Sequence, residues 1–338
     1  MSEEQINLFL NDFMNYNKAK NNLMFDNLDI FLELFYFLQQ IKSISYQEEY
    51  MPNFDKITKM DFLQKIKLIS NFYKSMNIDV DINEIVNSGV LGIKTPNMKN
   101  IDEEEMYHYL FFGTNHYIEN FKSISVYNNG IVTDSIIWVH EISHYRNQPK
   151  HERSQVNALL TESLAFTEQF IYMDYLKNSG YEYEADSFKY VEYINFYSHA
   201  IKTYNLLKIY ILYDKLGKVS KENYKLLYKT EENYDYFIEE FSKKIRNNPN
   251  EIISSLKYLL ASLLSIYMYI SYKNNPKFIE NIKLLNDNLN ELSLKECLQI
   301  IGFNTNDNYL CEENLNKIKE AFQQYEQELK EYIQKKEL

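Results

Sequence analysis

Residues 140–144 read His-Glu-Ile-Ser-His, an H-E-x-x-H sequence. On a helix His140 and His144 lie four residues apart and project from one face. Two imidazoles so placed can grip one Zn²⁺ ion. Glu141 sits beside the first of them and reaches a water held by the metal. Zinc lowers the pKa of that water toward neutrality, and the carboxylate takes its proton as the oxygen attacks a carbonyl. The chain has only 6 His among 338 residues, so a chance match is on the order of one in a hundred. Apolar residues surround the polar triad: Ile136, Ile137, Trp138 and Val139 lead into it, and Ile142 lies inside it. That pattern fits a buried helix carrying a site. Thr133 and Asp134 are good residues to start the helix, and Gln148-Pro149 suits its end.

Two histidines do not complete a catalytic zinc site. A third protein ligand is needed, with the fourth position left for water. Glu162 lies eighteen residues after His144, which leaves room for a turn and a second helix packing back on the first. A Glu from such a helix commonly completes a His₂Glu site. Glu168 is the rival ligand. Six residues from Glu162, it cannot closely share that residue's face, and its better role is to orient a ligand histidine from behind.

The elements that must position these residues are mostly helical. Gly (7) and Pro (5) are scarce in 338 residues, so tight turns are few. Apolar residues recur at helical spacing over 4–17, 27–44 and 59–77. The segment from about 85 to 132 differs. Short β-branched or aromatic runs at 88–93, 109–113 and 123–127 are punctuated by Gly or Asn and predict strands, and Asn128-Asn129-Gly130 predicts a turn into the zinc helix. From 154 onward the pattern is helical, with breaks near 178–180, 217, 247–249 and 274–276. The fold class expected is therefore mainly α, with a small β-sheet ahead of the zinc-binding helix. No linker or repeat divides the chain. A single domain is expected, with N-terminal helices over 1–84, sheet and zinc core over 85–176, and C-terminal helices over 177–338. An edge strand of the small sheet could hold an extended peptide over the metal by main-chain hydrogen bonds.

Composition excludes several function classes. A net charge of −12 with no basic stripe argues against a nucleic-acid partner. The most apolar run, 258–270, is too short to span a bilayer. The first residues lack the pattern of a signal peptide, and two cysteines, Cys297 and Cys311, fit neither a disulfide scaffold nor a four-cysteine metal site. A cytoplasmic setting is expected.

The stretch 127–176 resembles the zinc core of the oligoendopeptidase F and thimet oligopeptidase family. Gly130, Asp134, His140, Glu141 and His144 match at the family's offsets, with Tyr127 where Asn is usual. Asn147-Gln148-Pro149 matches a family tripeptide set closer to the zinc helix, and Thr161-Glu162-Ser163-Leu164-Ala165 resembles the segment bearing the third ligand. Asp174-Tyr175-Leu176 falls at the family's spacing from that Glu. Weaker similarity covers 77–96 and 256–304. The resemblance implies a mainly helical catalytic domain with a deep channel, one zinc ion held by His140, His144 and Glu162, and Glu141 as base. Two departures stand out. A further N-terminal helical region of most members is not matched. The family's His and Tyr cluster, which donates to the oxyanion ahead of the pair matching Lys257-Tyr258, is replaced by 248–255 with neither residue. Tyr258, His199 and Tyr197 are candidate substitutes; losing one such donor costs about 10²–10³ in rate.

Arg146, His151 and Arg153 follow the zinc helix closely. An Arg there can hold a peptide carboxylate, although a structural ion pair is the commoner role. His108 and His116 fall in the strand region and fit a structural role better than substrate contact. The expected function is a zinc metallopeptidase acting on oligopeptides or an unstructured peptide. Its rivals are an impaired pseudo-peptidase serving as a peptide- or protein-binding module and a dedicated precursor-processing protease.

Overall fold

The structure, a computed structural model, describes residues 1–19, 28–94, 114–118, 121–147, 155–247, 251–289, 291–305 and 311–337. Helices dominate: α1 (Glu3–Ala19), α2 (Leu28–Ile41), α3 (Phe62–Ser75) and α4 (Ile82–Asn87) come first. Three strands follow, β1 (Leu91–Lys94), β2 (Thr114–Ile118) and β3 (Phe121–Tyr127). Then come α5 (Asp134–Asn147), α6 (Gln155–Asn178), α7 (Glu182–Leu216), α8 (Lys221–Tyr228), α9 (Tyr234–Asn247), α10 (Glu251–Asn274), α11 (Ile279–Asn288), α12 (Leu294–Ile300) and α13 (Glu312–Glu337). Among the described residues no helix is long and apolar enough to cross a membrane.

Contacts group the residues into two discontinuous units. One comprises Met1–Lys42 and Ile194–Ser262, the other Ser43–Tyr193 and Leu263–Leu338. The first is built on aromatic packing: the Tyr210 ring lies 5.8 Å from Phe13 and 5.5 Å from Phe241, joining α7 to α1 and α9. The second contains the sheet, α5, α6 and the H-E-x-x-H sequence.

The sheet has strand order β1-β3-β2. β1 runs parallel to β3, with Leu91 opposite Ile124, and β2 runs antiparallel, with Thr114 opposite Ser125. Two of the three expected strand runs become β1 and β3; the run at 109–113 lies outside the described residues. β2 holds Thr-Asn-His-Tyr-Ile, a run too polar to announce a strand alone, and its pairing with β3 decides its state. Ile124 and Val126 of β3 are buried. The predicted turn follows, and Gly130 adopts φ +79°, a left-handed conformation that favours glycine. Main-chain bonds from Met60 N to Gly130 O and from Val132 N to Thr58 O, 2.9 and 3.0 Å, tie the turn to the segment ahead of α3.

Asp134 opens α5 and anchors it. Its carboxylate accepts from the main-chain N–H of Asn129 at 2.9 Å, from the Asn129 side-chain amide at 2.7 Å, and from the Lys65 ammonium of α3. Both charged side chains are essentially fully buried. Burial pulls the Lys65 ammonium below its ordinary pKa, against the attraction of Asp134. The Trp138 indole N–H donates to Tyr127 O at 2.8 Å and locks the same helix to the end of β3.

α5 packs along α6, and α6 ends where the sequence broke. Gly180 takes φ +95°, and Tyr181 N bonds back to Leu176 O at 3.0 Å, a Schellman closure. Four helices are then joined by one buried lysine. Lys189 of α7 reaches Asp174 of α6 at 2.6 Å, Tyr269 of α10 at 2.7 Å and Glu328 of α13 at 2.9 Å. Lys273 adds a second cation to Glu328 at 2.6 Å.

Two predictions follow from these pairs. Lys65→Met leaves Asp134 buried without its cation and lowers stability by about 3–5 kcal/mol in urea unfolding; a Lys65→Met, Asp134→Leu double variant loses less. For Glu328, burial alone would raise the carboxyl, but Lys189 and Lys273 outweigh it and hold it below the ordinary glutamate value. A carboxyl depressed on folding stabilises the fold above its unfolded pKa and loses that contribution as the pH falls through its folded pKa. Stability measured by thermal unfolding therefore declines below about pH 4.3, and Glu328→Gln flattens that decline.

Candidate metal centre

α5 is buried around most of its circumference: Ile136, Trp138, Val139 and Ile142 are apolar contacts, and Glu141, Ser143, His144 and Asn147 are polar groups inside. A helix so enclosed turns its histidines toward protein. The Nε2 atoms of His140 and His144 face each other at 3.1 Å. Glu162, projecting from α6, brings Oε2 to 3.7 Å from His140 Nε2 and 3.3 Å from His144 Nε2. These three atoms define a point about 2.0 Å from each, the length of metal–nitrogen and metal–carboxylate bonds in His/Glu sites. Among the described residues the same trio is the group of three close His, Cys, Asp or Glu side chains able to hold a metal ion. The donor set and spacing fit a divalent cation with one position left open.

The electrostatics point the same way. Burial alone would lower the His140 pKa. The carboxylates of Glu162, Glu141 and Glu192 outweigh it and lift the imidazole above its ordinary value. A field that favours a positive imidazole also favours a metal cation. Glu141 is buried beside His140 at 6 % exposure, so its charge acts with little solvent screening.

Behind His140 the structure shows a polar chain that sequence reasoning missed. His140 Nδ1 lies 2.8 Å from Gln169 Oε1, and Gln169 Nε2 donates to Glu192 Oε1 at 2.8 Å. The Phe166 ring meets His140 edge-on, with centroids 4.8 Å apart. Gln169 had a detectable signal, since it follows Glu162 by seven residues, or two helical turns, and shares its face. Glu192 had none; it arrives from α7 by tertiary packing. Among the described residues the buried Nδ1 of His144 has no hydrogen-bond partner.

Glu168 stands elsewhere, which corrects both the rival-ligand and the histidine-orienting expectations. It accepts from Arg146 at 2.6 Å and from the Tyr73 hydroxyl at 3.2 Å. One residue before Gln169, it is rotated about 100° around the helix, and this turns it toward α3. Arg146 is thereby a structural partner, with its guanidinium 5.5 Å from the Tyr73 ring centroid. Asp174 joins the Lys189 network rather than the centre.

The remaining candidates are less defined. His116 lies in β2, with its side chain outside the described set; His108, His151 and Arg153 are also outside it. Tyr197, His199 and Tyr258 belong to the other unit, on α7 and α10. The His199 side chain is not described. The Tyr197 ring carries the Lys42 ammonium 3.3 Å above it, and the half-buried Tyr258 ring has the Lys257 ammonium 4.7 Å from its centroid.

No family model and no curated protein matches the sequence. Among solved structures, the crystal structure of a "putative oligoendopeptidase F" from Bacillus anthracis str. Ames is similar, with TM-score 0.51 and 15% identity over 88% of this chain and 53% of that chain. This chain thus spans about half the length of that protein. The likeness is one of fold, and it agrees with the helical architecture expected from the sequence.

The two acids of α6 are separable by metal content. Glu162→Gln loses the ion on dialysis, whereas Glu168→Gln retains it by elemental analysis and instead unfolds at lower urea because Arg146 loses its buried partner. Equal metal retention in the two variants would remove Glu162 from the ligand set.

Proposed function

We propose that the chain is a zinc-dependent peptidase of the oligoendopeptidase F type, acting on oligopeptides or an unstructured peptide. The observation that carries this reading is the convergence of His140 Nε2, His144 Nε2 and Glu162 Oε2 on one point. The fold shared with the Bacillus anthracis protein supports it. The His₂Glu donor set is that of zinc hydrolases, with an open position for water or substrate.

In this reading His140, His144 and Glu162 hold zinc. The ion supplies a Lewis acid and lowers the pKa of water in the open position. Glu141 takes the proton of the attacking water and later returns it to the leaving amine. Its burial keeps that carboxylate away from competing solvent. An oxyanion donor is also required, and Tyr258 and His199 are carried as its candidates. Among the described residues β1 and β2 are the outer strands of the small sheet ahead of α5, and an extended peptide pairing with one of them is the proposed mode of substrate binding.

The decisive substitution separates metal binding from chemistry. Glu141→Gln keeps zinc at wild-type stoichiometry and lowers cleavage of a quenched peptide library by about 10²–10⁴-fold, the usual contribution of a general base. A wild-type protein that binds zinc and cleaves neither library peptides nor longer unstructured chains would instead be a binding module.

A further inference from the structure

We propose that Gln169 and Glu192 form a one-way hydrogen-bond relay that holds His140 in the tautomer whose Nε2 lone pair faces the metal position. Its consequence for zinc affinity rests on the function proposed above; its structural half stands in the metal-free protein. The direction of the relay is set at its far end. Burial raises the Glu192 carboxyl above its ordinary value; once ionised it only accepts hydrogen bonds, so the Gln169 amide then turns its NH₂ toward Glu192, at 2.8 Å. Its carbonyl oxygen then faces His140 Nδ1, also at 2.8 Å. A carbonyl likewise only accepts, so Nδ1 carries the proton. A neutral imidazole protonated there has its lone pair on Nε2, the atom aimed at His144 and Glu162.

Burial makes the relay exclusive. Gln169 is 1 % exposed and Glu192 6 %, so solvent offers little to replace either bond. The amide also explains how Glu192 can serve His140 without a second acid between them. A carboxylate at position 169 would stand against Glu192 at hydrogen-bond distance, where two ions cannot both persist without a large pKa shift. The glutamine passes the polarity of Glu192 to His140 and adds no charge of its own. His140 is therefore pre-oriented by a partner on α6 and by a second on α7, whereas among the described residues His144 Nδ1 has no such bond. Gln169 and Glu192 are positioning residues in this account.

The test uses the full-length chain, metal-free and ¹⁵N-labelled, at alkaline pH where the imidazole is neutral. Long-range ¹H–¹⁵N spectra of the ring, assigned with His140→Gln, should show His140 protonated at Nδ1. Glu192→Gln lets the Gln169 amide adopt either orientation, and Gln169→Met removes the acceptor, so both variants should show mixed tautomers. Zinc affinity by competition with a chromophoric chelator should fall about 10–100-fold in each, the usual effect of losing a ligand's supporting bond. A purely structural role would lower the unfolding midpoint and leave the tautomer unchanged. A wild-type His140 protonated at Nε2 overturns the relay, a reading that needs no variant to fold. So do folded variants with wild-type tautomer and zinc affinity within about twofold of wild type. Nδ1 protonation in a wild-type protein that binds no zinc upholds the relay and overturns the metallopeptidase reading instead.

Discussion

Nearly everything about the centre depends on α5 being buried while carrying charged and polar side chains. An enclosed polar group is costly unless it has a partner, so each one dictates what must stand next to it. Asp134 requires Lys65 and the Asn129 amides, and this fixes where the helix begins and how it meets α3. Trp138 requires a carbonyl and finds Tyr127 O at the end of β3. His140 requires Gln169, and Gln169 requires Glu192, which brings in α6 and α7. The small sheet matters to the centre mainly through this logic: it supplies the end from which α5 starts in a defined direction.

α6 shows how helical phase sorts chemistry from support. Glu162, Glu168 and Gln169 are all buried on one helix. Positions 162 and 169 are almost in phase, so one contributes an oxygen to the convergent trio while the other stands behind a histidine. Position 168 is turned away and closes an ion pair with Arg146 at 2.6 Å. A shift of one residue thus separates a group that stands behind His140 from one that fastens α5 to α3 and α6.

That distinction marks what was legible in the sequence. The convergence of the two histidines was legible because an i, i+4 pair announces itself on any helix. Glu162 was legible as one of two acids at a workable distance, and the phase argument already disfavoured Glu168 as its equal. The helix start at Asp134, the turn at Gly130 and the break at Gly180 were written in local residue types with known backbone preferences. Gln169 was overlooked because an uncharged amide draws no notice beside two glutamates, although its seven-residue offset was available. Glu192 and Lys189 could not be read at all: each acts across helices far apart in sequence, and an acidic or basic residue on a long helix has a solvated face as its ordinary fate. β2 was hidden for the same reason, since its residues pair through β3 rather than through any pattern of their own.

Three cations in the unit that holds the centre share one arrangement. Lys65 is assigned to Asp134, Arg146 to Glu168, and Lys189 to Asp174 and Glu328. Each joins helices, and each neutralises an acid away from the point where His140, His144 and Glu162 converge. At that point the acids act together: Glu162, Glu141 and Glu192 all raise the His140 pKa against the effect of burial. Buried carboxylates gathered around one histidine repel one another in a medium that screens poorly. A divalent cation held at the convergence would relieve that repulsion, and its binding energy would then also stabilise the fold. The ion pairs hold the helices in register without it, and the centre can therefore be pre-formed while remaining strongly attractive to the ion.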